Sequence, residues 1–130
     1  PDLRWGFVEV SAEWVPYALN DLQIRTRSEL AFRREHGESS LAGVRGAPRE
    51  LADRNLLRDN RIYVACQTTD DLPYVIDYAG EESIIVGTDY GHADYSNDME
   101  AIATLAKQGV LAAGVGEKIL SDNPRRLYGL

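Results

Sequence analysis

The sequence predicts an α/β fold built on parallel strands. A strand-like run followed by helix-compatible residues occurs three times, with the runs at residues 4–10, 62–67 and 83–88. The third run places Ile84, Ile85 and Val86 in direct succession, the apolar pattern of a parallel strand covered on both faces. Strands that each lead into a helix must be joined by right-handed crossovers within one parallel sheet. Periodicity leaves open whether that sheet is a piece of a barrel or a small open sheet, because both use the same βα unit.

The first run, Arg4-Trp-Gly-Phe-Val-Glu-Val10, combines β-branched and aromatic residues over strand length, and Ser11 begins a helix-compatible stretch. Over residues 14–25 the apolar positions Trp14, Ala18, Leu22 and Val15, Leu19 recur every four residues, and Pro16 falls early enough for a first helical turn. Residues 26–47 read as the end of that helix and an exposed loop, charged through Arg33, Arg34, Glu35 and His36 and then rich in Gly and Ser. Pro48 suits the start of a helix over residues 48–58, with Leu51, Leu56 and Leu57 near one side. After the second strand, Thr69-Asp70-Asp71-Leu72-Pro73 supplies capping residues and a proline for a helix that carries Tyr74, Val75 and Tyr78 and stops at Gly80. The third strand ends at Asp89. Ser96 then caps a helix over residues 97–107, with Asp98 and Glu100 in its first turn and Ile102, Leu105 and Ala106 expected to be buried. Gly109 ends it, a last helical segment carries Val115, Ile119 and Leu120, and Asn123-Pro124 restarts a short turn.

Composition narrows the function. A chain of 130 residues with 44% hydrophobic content can bury one core, so a single domain over 1–130 is expected. The net charge of −7 argues against a nucleic-acid surface, which needs clustered cations with little opposing charge. No apolar run approaches the roughly 20 residues that span a bilayer, and no signal peptide opens the chain. Cys66, the single cysteine, lies in an apolar strand and is expected to be buried, and a cytoplasmic setting is favoured. The chain enters a strand almost at once and its only methionine is Met99, so it is expected to be a fragment or a processed piece.

Asp89 is the first candidate for chemistry, because α/β folds gather ligand-binding groups just past the C-terminal ends of their strands. In Gly87-Thr-Asp89-Tyr-Gly-His92-Ala-Asp94, Asp and His are types that bind divalent metals or move protons. Glu9 shares strand parity with Trp5 and Phe7 at the end of its run, and Gln67 ends the second strand; both are candidates to line a substrate pocket, as is His92. Gly114-Val-Gly116-Glu-Lys118 lacks the spacing of a phosphate loop and is expected to be a loop leading into the last helix. His36 lies in the charged segment and is given no catalytic role. Trp5, Trp14, Tyr90 and Tyr95 fit packing and aromatic substrate contact equally well.

The segment around Asp89 resembles the last-strand signature of the amidohydrolase-related family, Gly/Ala-Ser-Asp-Tyr-Pro-His followed by an acid. The ending Ile119-Leu-Ser-Asp-Asn123-Pro-Arg-Arg-Leu-Tyr-Gly-Leu130 is similar to that family's closing Ile-Leu-x-x-Asn-Ala-Arg-Arg-Leu-Tyr-Gly-Leu. The start, with Phe7-Val-Glu9 followed by Trp14-Val-Pro-Tyr17, resembles the sixth strand and helix of some members. The resemblance covers nearly the whole chain, least over residues 26–47. It implies the C-terminal portion of a (β/α)8 TIM barrel, strands six to eight with their helices. It also implies that Asp89 ligates or adjoins a divalent metal, often zinc, and handles the proton of the metal-activated water. Two departures stand out: Glu9 occupies a strand where decarboxylating members commonly carry histidine, and Gly91 replaces the usual proline.

The parent protein is therefore expected to be a metal-dependent hydrolase, and a homo-oligomer, acting on a small organic substrate with a polar or carboxylate-bearing group. The family's His-x-His pair is absent, since the chain has only His36 and His92, so the chain alone is expected to be inactive, weakly stable and prone to associate. The alternatives are a metal-dependent decarboxylase of small aromatic or unsaturated acids on the same fold, and a non-catalytic α/β binding module.

Overall fold

The three apolar runs pair in the order in which they occur. The structure, a computed structural model, describes residues 2–36, 55–93, 98–107, 109 and 111–130. In it β1 (Trp5–Phe7), β2 (Ile62–Cys66) and β3 (Ile84–Val86) form one parallel sheet of order β1-β2-β3. Trp5 lies opposite Ile62 and Phe7 opposite Val64, while Val64 lies opposite Ile84 and Cys66 opposite Val86. The helices are α1 (Trp14–His36), α2 (Leu56–Asp59), α3 (Leu72–Ala79), α4 (Ala101–Lys107), α5 (Val115–Glu117) and α6 (Asn123–Tyr128). Among the described residues no helix is long and apolar enough to cross a membrane.

Strand alternation divides the sheet into two faces. Val64, Cys66 and Ile84 point to one side, where they meet Val15 and Leu19 of α1, Leu72, Val75 and Ala79 of α3, Leu105 of α4, and Val115 and Ile119. Tyr63, Ala65 and Ile85 point to the other and are met by Leu127 of α6. Each crossover helix thus covers the same face, and strand order follows chain order.

Several expectations are corrected. The first strand stops at Phe7, because Glu9 and Ser11 take positive φ of 59° and 56°, which no strand accommodates. The first helix outlasts its apolar period, which fades near residue 25, and runs to His36, within the segment where its end is expected. Residues 27–35 contain no Gly or Pro and are rich in Arg, Glu, Leu and Ala, which favour helix regardless of the fading apolar period. Of its two apolar rows Val15 and Leu19 are buried, while Trp14 and Leu22 are more than a third exposed. In the described part of the helix expected over residues 48–58, Asn55 is not helical but caps α2. This residue has extended backbone (φ −81°, ψ 96°), and its side chain accepts from Arg58 N to start α2; Pro48 and Leu51 lie outside the described residues. Asp71, one of the expected capping residues, caps α3 by accepting from Tyr74 N. Asp98 precedes α4 instead of lying in its first turn, and its carboxylate accepts from Glu100 N; the expected cap Ser96 lies outside the described residues. Ala101 and Leu105 are buried in α4, whereas Ala106 is exposed, and the Ile102 side chain is outside the described set.

The C-terminal segment is continuous rather than restarted. Between α5 and α6 the chain makes a π-helical turn over Lys118–Asp122 and carries on through Pro124. A widened turn lets the backbone pass a proline that offers no N–H to the preceding turn. Asn123, fully buried, donates through Nδ2 to the carbonyls of Glu81 and Ile84, each at 2.7 Å, and so fastens the segment to the start of β3. Lys118 adds an ion pair with Glu81 at the surface.

Gly80 stops α3 with φ +76°, and a Cβ there would come within 2.3 Å of Asn55 Nδ2, the group that donates to the Ala79 carbonyl. Gly80→Ala is therefore expected to lower stability by about 1–2 kcal/mol, from left-handed strain and loss of that bond. Urea denaturation measures it; an unchanged midpoint contradicts the account.

Candidate metal centre

All three strands point their C-terminal ends toward one rim, and each contributes a candidate residue there. Glu9 follows β1, Gln67 follows β2 and Asp89 follows β3. Together they line a cleft of about 200 Å³ whose floor is apolar, with Ala65 and Ile85 from the sheet and Pro124 and Tyr128 from α6. The convergence comes from the parallel register, since adjacent parallel strands present equivalent ends on the same side.

Glu9 reaches the cleft by a different route from the one its sequence position suggests. Phe7 points to the helix face, where its ring meets Trp14 edge-on at 5.6 Å. Strand parity would carry Glu9 to that same side. The left-handed backbone at Glu9 breaks the alternation and turns its carboxylate toward Asp89.

Asp89 also has left-handed backbone, φ 51°, a conformation that Asp tolerates better than most residues. The next turn is tight: His92 N donates to the Asp89 carbonyl at 3.3 Å, and Gly91 sits at φ +96°. Proline, fixed near −65°, has no access to that φ. The glycine therefore permits the curl that brings His92 Nδ1 to 3.4 Å from Asp89 Oδ2. The Asp89 side chain is only 13% exposed, against 49% for His92. Tyr90 points outward and is 80% exposed, so it takes no part in packing. Asp94 and Tyr95 lie outside the described residues.

Glu9, Asp89 and His92 each offer a donor atom, and the three atoms lie within 4.8 Å of one another. Two carboxylates and an imidazole form a donor set suited to a divalent transition metal. Asp89, Glu9, His92 and Gln67 are thus brought to one rim. His36 is not: it lies at the end of α1, stacked on Phe32 with ring centroids 4.5 Å apart.

Two residues that sequence reasoning places only at helix starts hold the rim together. Asp70 accepts from Ser11 Oγ at 2.7 Å, from Ala12 N at 2.8 Å and from Gln67 N at 2.9 Å, tying the loop after β1 to the loop after β2. Asp98 accepts from Thr68 Oγ1 at 2.7 Å and donates its N–H to the Thr88 carbonyl, tying the loop after β2 to the loop after β3. A sequence signal for such ties exists, since acids at strand ends in successive βα units are where they form. The partners, however, are distant in sequence.

Cys66 is buried beneath the rim as expected, and its thiol is pushed up to about 12, first by burial and second by the nearby Asp70 carboxylate. A folded-state value raised above the unfolded one stabilises fully below the unfolded pKa, near 8.5. That contribution is lost as pH rises through the window up to about 12. The native chain is expected to resist thiol reagents at pH 8 and to react stoichiometrically once unfolded; rapid labelling of the folded chain contradicts this placement.

No protein-family model matches the sequence, and no curated protein matches it. A solved structure does: the crystal structure of an amidohydrolase from Mycobacterium avium subsp. paratuberculosis K-10 resembles the chain with a TM-score of 0.65 at 20% identity. The match covers 96% of this chain and 28% of that one, so the chain spans about 28% of the length of the structure it matches. At this identity the likeness is one of fold, and the fold is that of part of an amidohydrolase.

Proposed function

We propose that this chain is the C-terminal part, strands six to eight, of a (β/α)8 barrel in a metal-dependent hydrolase of amidohydrolase type. Its substrate is a small organic molecule, and its reaction is hydrolysis by a metal-activated water. The observation that carries this reading is the gathering of Glu9, Asp89 and His92 at the C-terminal rim of three consecutive parallel strands whose fold matches part of an amidohydrolase. Zinc is the ion we expect. A divalent ion there supplies a nucleophilic water near neutral pH by stabilising its conjugate base.

The chain's own residues define the rest. Asp89, largely shielded from solvent, accepts a proton at Oδ2 and is faced there by His92 Nδ1. Gln67 offers a neutral donor and acceptor at the side of the cleft, and Ala65, Ile85, Pro124 and Tyr128 give its floor an apolar surface. A substrate with a polar reacting group and a small apolar body fits such a cleft.

The flank of β1 supports the larger barrel. Trp5, Phe7 and Val8 are 54%, 42% and 54% exposed along an edge that no strand among the described residues pairs, beside an apolar groove lined by Phe7, Trp14, Leu22 and Ile62. A further strand and helix would cover this surface, and left bare it favours association. The complete enzyme is proposed to act in the cytoplasm as a homo-oligomer without a nucleic-acid partner, and the isolated chain to be inactive.

The deciding experiment is the divalent-ion content and hydrolytic activity of the complete enzyme beside its Asp89→Asn variant, with product analysis. Water incorporation supports hydrolysis; carbon dioxide release without it transfers the site to decarboxylation.

A further inference from the structure

We propose that Gln67 is a specificity-determining residue of the cleft, whose side-chain amide selects a neutral ligand group of carboxamide type over a carboxylate. The inference rests on the hydrolase reading for the reaction. It adds what this chain recognises in a substrate, a group other than the bond that is broken.

The backbone is the first argument. Gln67 follows β2 with the strand parity of Tyr63 and Ala65, and Ala65 forms part of the cleft floor. Its main chain is fully engaged. Its N–H donates to Asp70 Oδ2 at 2.9 Å, and its carbonyl accepts from Asp70 N at 3.2 Å. The next residue, Thr68, is held by the 2.7 Å bond from its hydroxyl to Asp98. A ligand therefore meets a main chain that is already ordered, and only the side-chain rotamers of Gln67 remain to be fixed on binding.

The side chain is the second. Ser11, Thr68, Asp70 and Asp98, the other polar side chains of these loops, all bond within the chain. The Gln67 amide lines the cleft and, among the described residues, has no hydrogen-bond partner. Its NH₂ and Oε1 are thus both available to a ligand. A carboxamide presents the complementary pair, so two bonds form side by side. A carboxylate only accepts, and it leaves Oε1 facing another acceptor.

Charge is the third. Among the described residues that line the cleft, Glu9 and Asp89 are acids and none is Lys or Arg. A carboxylate beside Gln67 would bring a further negative charge toward both acids, with no cationic side chain of this chain to offset it. A carboxamide brings no charge, and the apolar surface of Ala65, Ile85 and Pro124 takes up the body that carries it. The substrate expected to bear a polar or carboxylate group is thereby narrowed, at this wall of the cleft, to a neutral one.

The test is calorimetric titration of the complete enzyme, and of its Gln67→Leu and Gln67→Arg variants, with benzamide and with benzoate, which share a ring and differ in the polar group. Gln67→Leu is expected to lower the ratio of benzamide to benzoate affinity by about tenfold, the worth of one net hydrogen bond. Gln67→Arg, which gives the cleft a cation able to grip a carboxylate with two bonds, should lower that ratio further. Both variants keep the main-chain bonds to Asp70, and circular dichroism checks that they keep their helix content. A ratio that is the same in all three proteins, or no binding of benzamide to the wild type at millimolar concentration, overturns the proposal. The hydrolase reading is judged separately, by the ion content and turnover of the wild type. An enzyme that holds its ion and hydrolyses while the ratio stays fixed overturns this inference alone.

Discussion

Asp89→Asn is expected to lower kcat/KM of the complete enzyme by at least about 10³-fold, since the charge stabilisation a metal centre supplies is worth several kcal/mol and each 1.4 kcal/mol is a factor of about ten. The substitution is chosen for what it preserves. Asn has the same shape and is among the few residues that tolerate the left-handed backbone found at this position, φ 51°. The turn that places His92 should therefore survive, and the melting temperature should move little. What disappears is the negative charge that would hold the cation and the oxygen that would accept a proton. Ion content should fall together with activity. An active variant with its ion retained would remove Asp89 from the mechanism, and a wild-type enzyme with neither ion nor turnover would favour the non-catalytic α/β binding module.

The comparison among Glu9, Asp89 and Asp70 shows how far a site of this kind is legible in sequence. Asp89 is legible because its position after an apolar strand is where parallel α/β folds gather ligands, and it lines the cleft at that rim. Glu9 reaches the cleft for a reason the sequence hides: alternation puts residues 5, 7 and 9 on one face, but a left-handed residue ends the alternation and delivers the carboxylate to the cleft. Backbone handedness at a non-glycine position has no sequence marker strong enough to anticipate. Asp70 looks like a cap because its neighbours look like a helix start. Its actual partners, Ser11 and Ala12, become neighbours only when β1 and β2 pair.

The same contrast holds for the fold. The apolar cores of β2 and β3 and the start and stop of α3 follow from local chemistry, a proline near the start and a glycine at the end, and the structure agrees with both. The length of α1 does not follow, because an amphipathic period reports burial rather than helix. Beyond Arg25 the helix persists on propensity, with Thr26 and Ser28 returning their hydroxyls to the carbonyls of Leu22 and Ile24. Strand order and the face taken by the crossovers are tertiary properties, visible only once α1, α3 and α4 pack on one side of the sheet.

Asp70→Ala is expected to destabilise the chain by about 3 kcal/mol, the scale of a charged acceptor whose three donors, two of them partly buried, are left unpaired. Ser11 Oγ, Ala12 N and Gln67 N all lose their acceptor at once, and the loops after β1 and β2 lose their tie. Asp70→Asn should lose much less. Its amide oxygen can take the place of Oδ2 and accept both backbone N–H groups, while its NH₂ donates to Ser11 Oγ. Asp71→Ala, which removes only the α3 cap to Tyr74 N, should cost about 1 kcal/mol. Urea denaturation checks the order: the largest loss for Asp70→Ala, a smaller one for Asp71→Ala, and near-retention of wild-type stability for Asp70→Asn. A second readout separates a local tie from general weakening. With the Asp70 carboxylate gone, one of the two causes that hold the Cys66 thiol up is removed and the loop above it is released, so Cys66 should label faster at pH 8. Since folded domains hold only about 5–15 kcal/mol in total, a loss of this size would also blur the register of Glu9 against Asp89, and the affinity for a divalent ion should fall in Asp70→Ala though no ligand has been touched. An Asp70→Ala chain as stable as wild type would show that the two loops are held by the sheet alone.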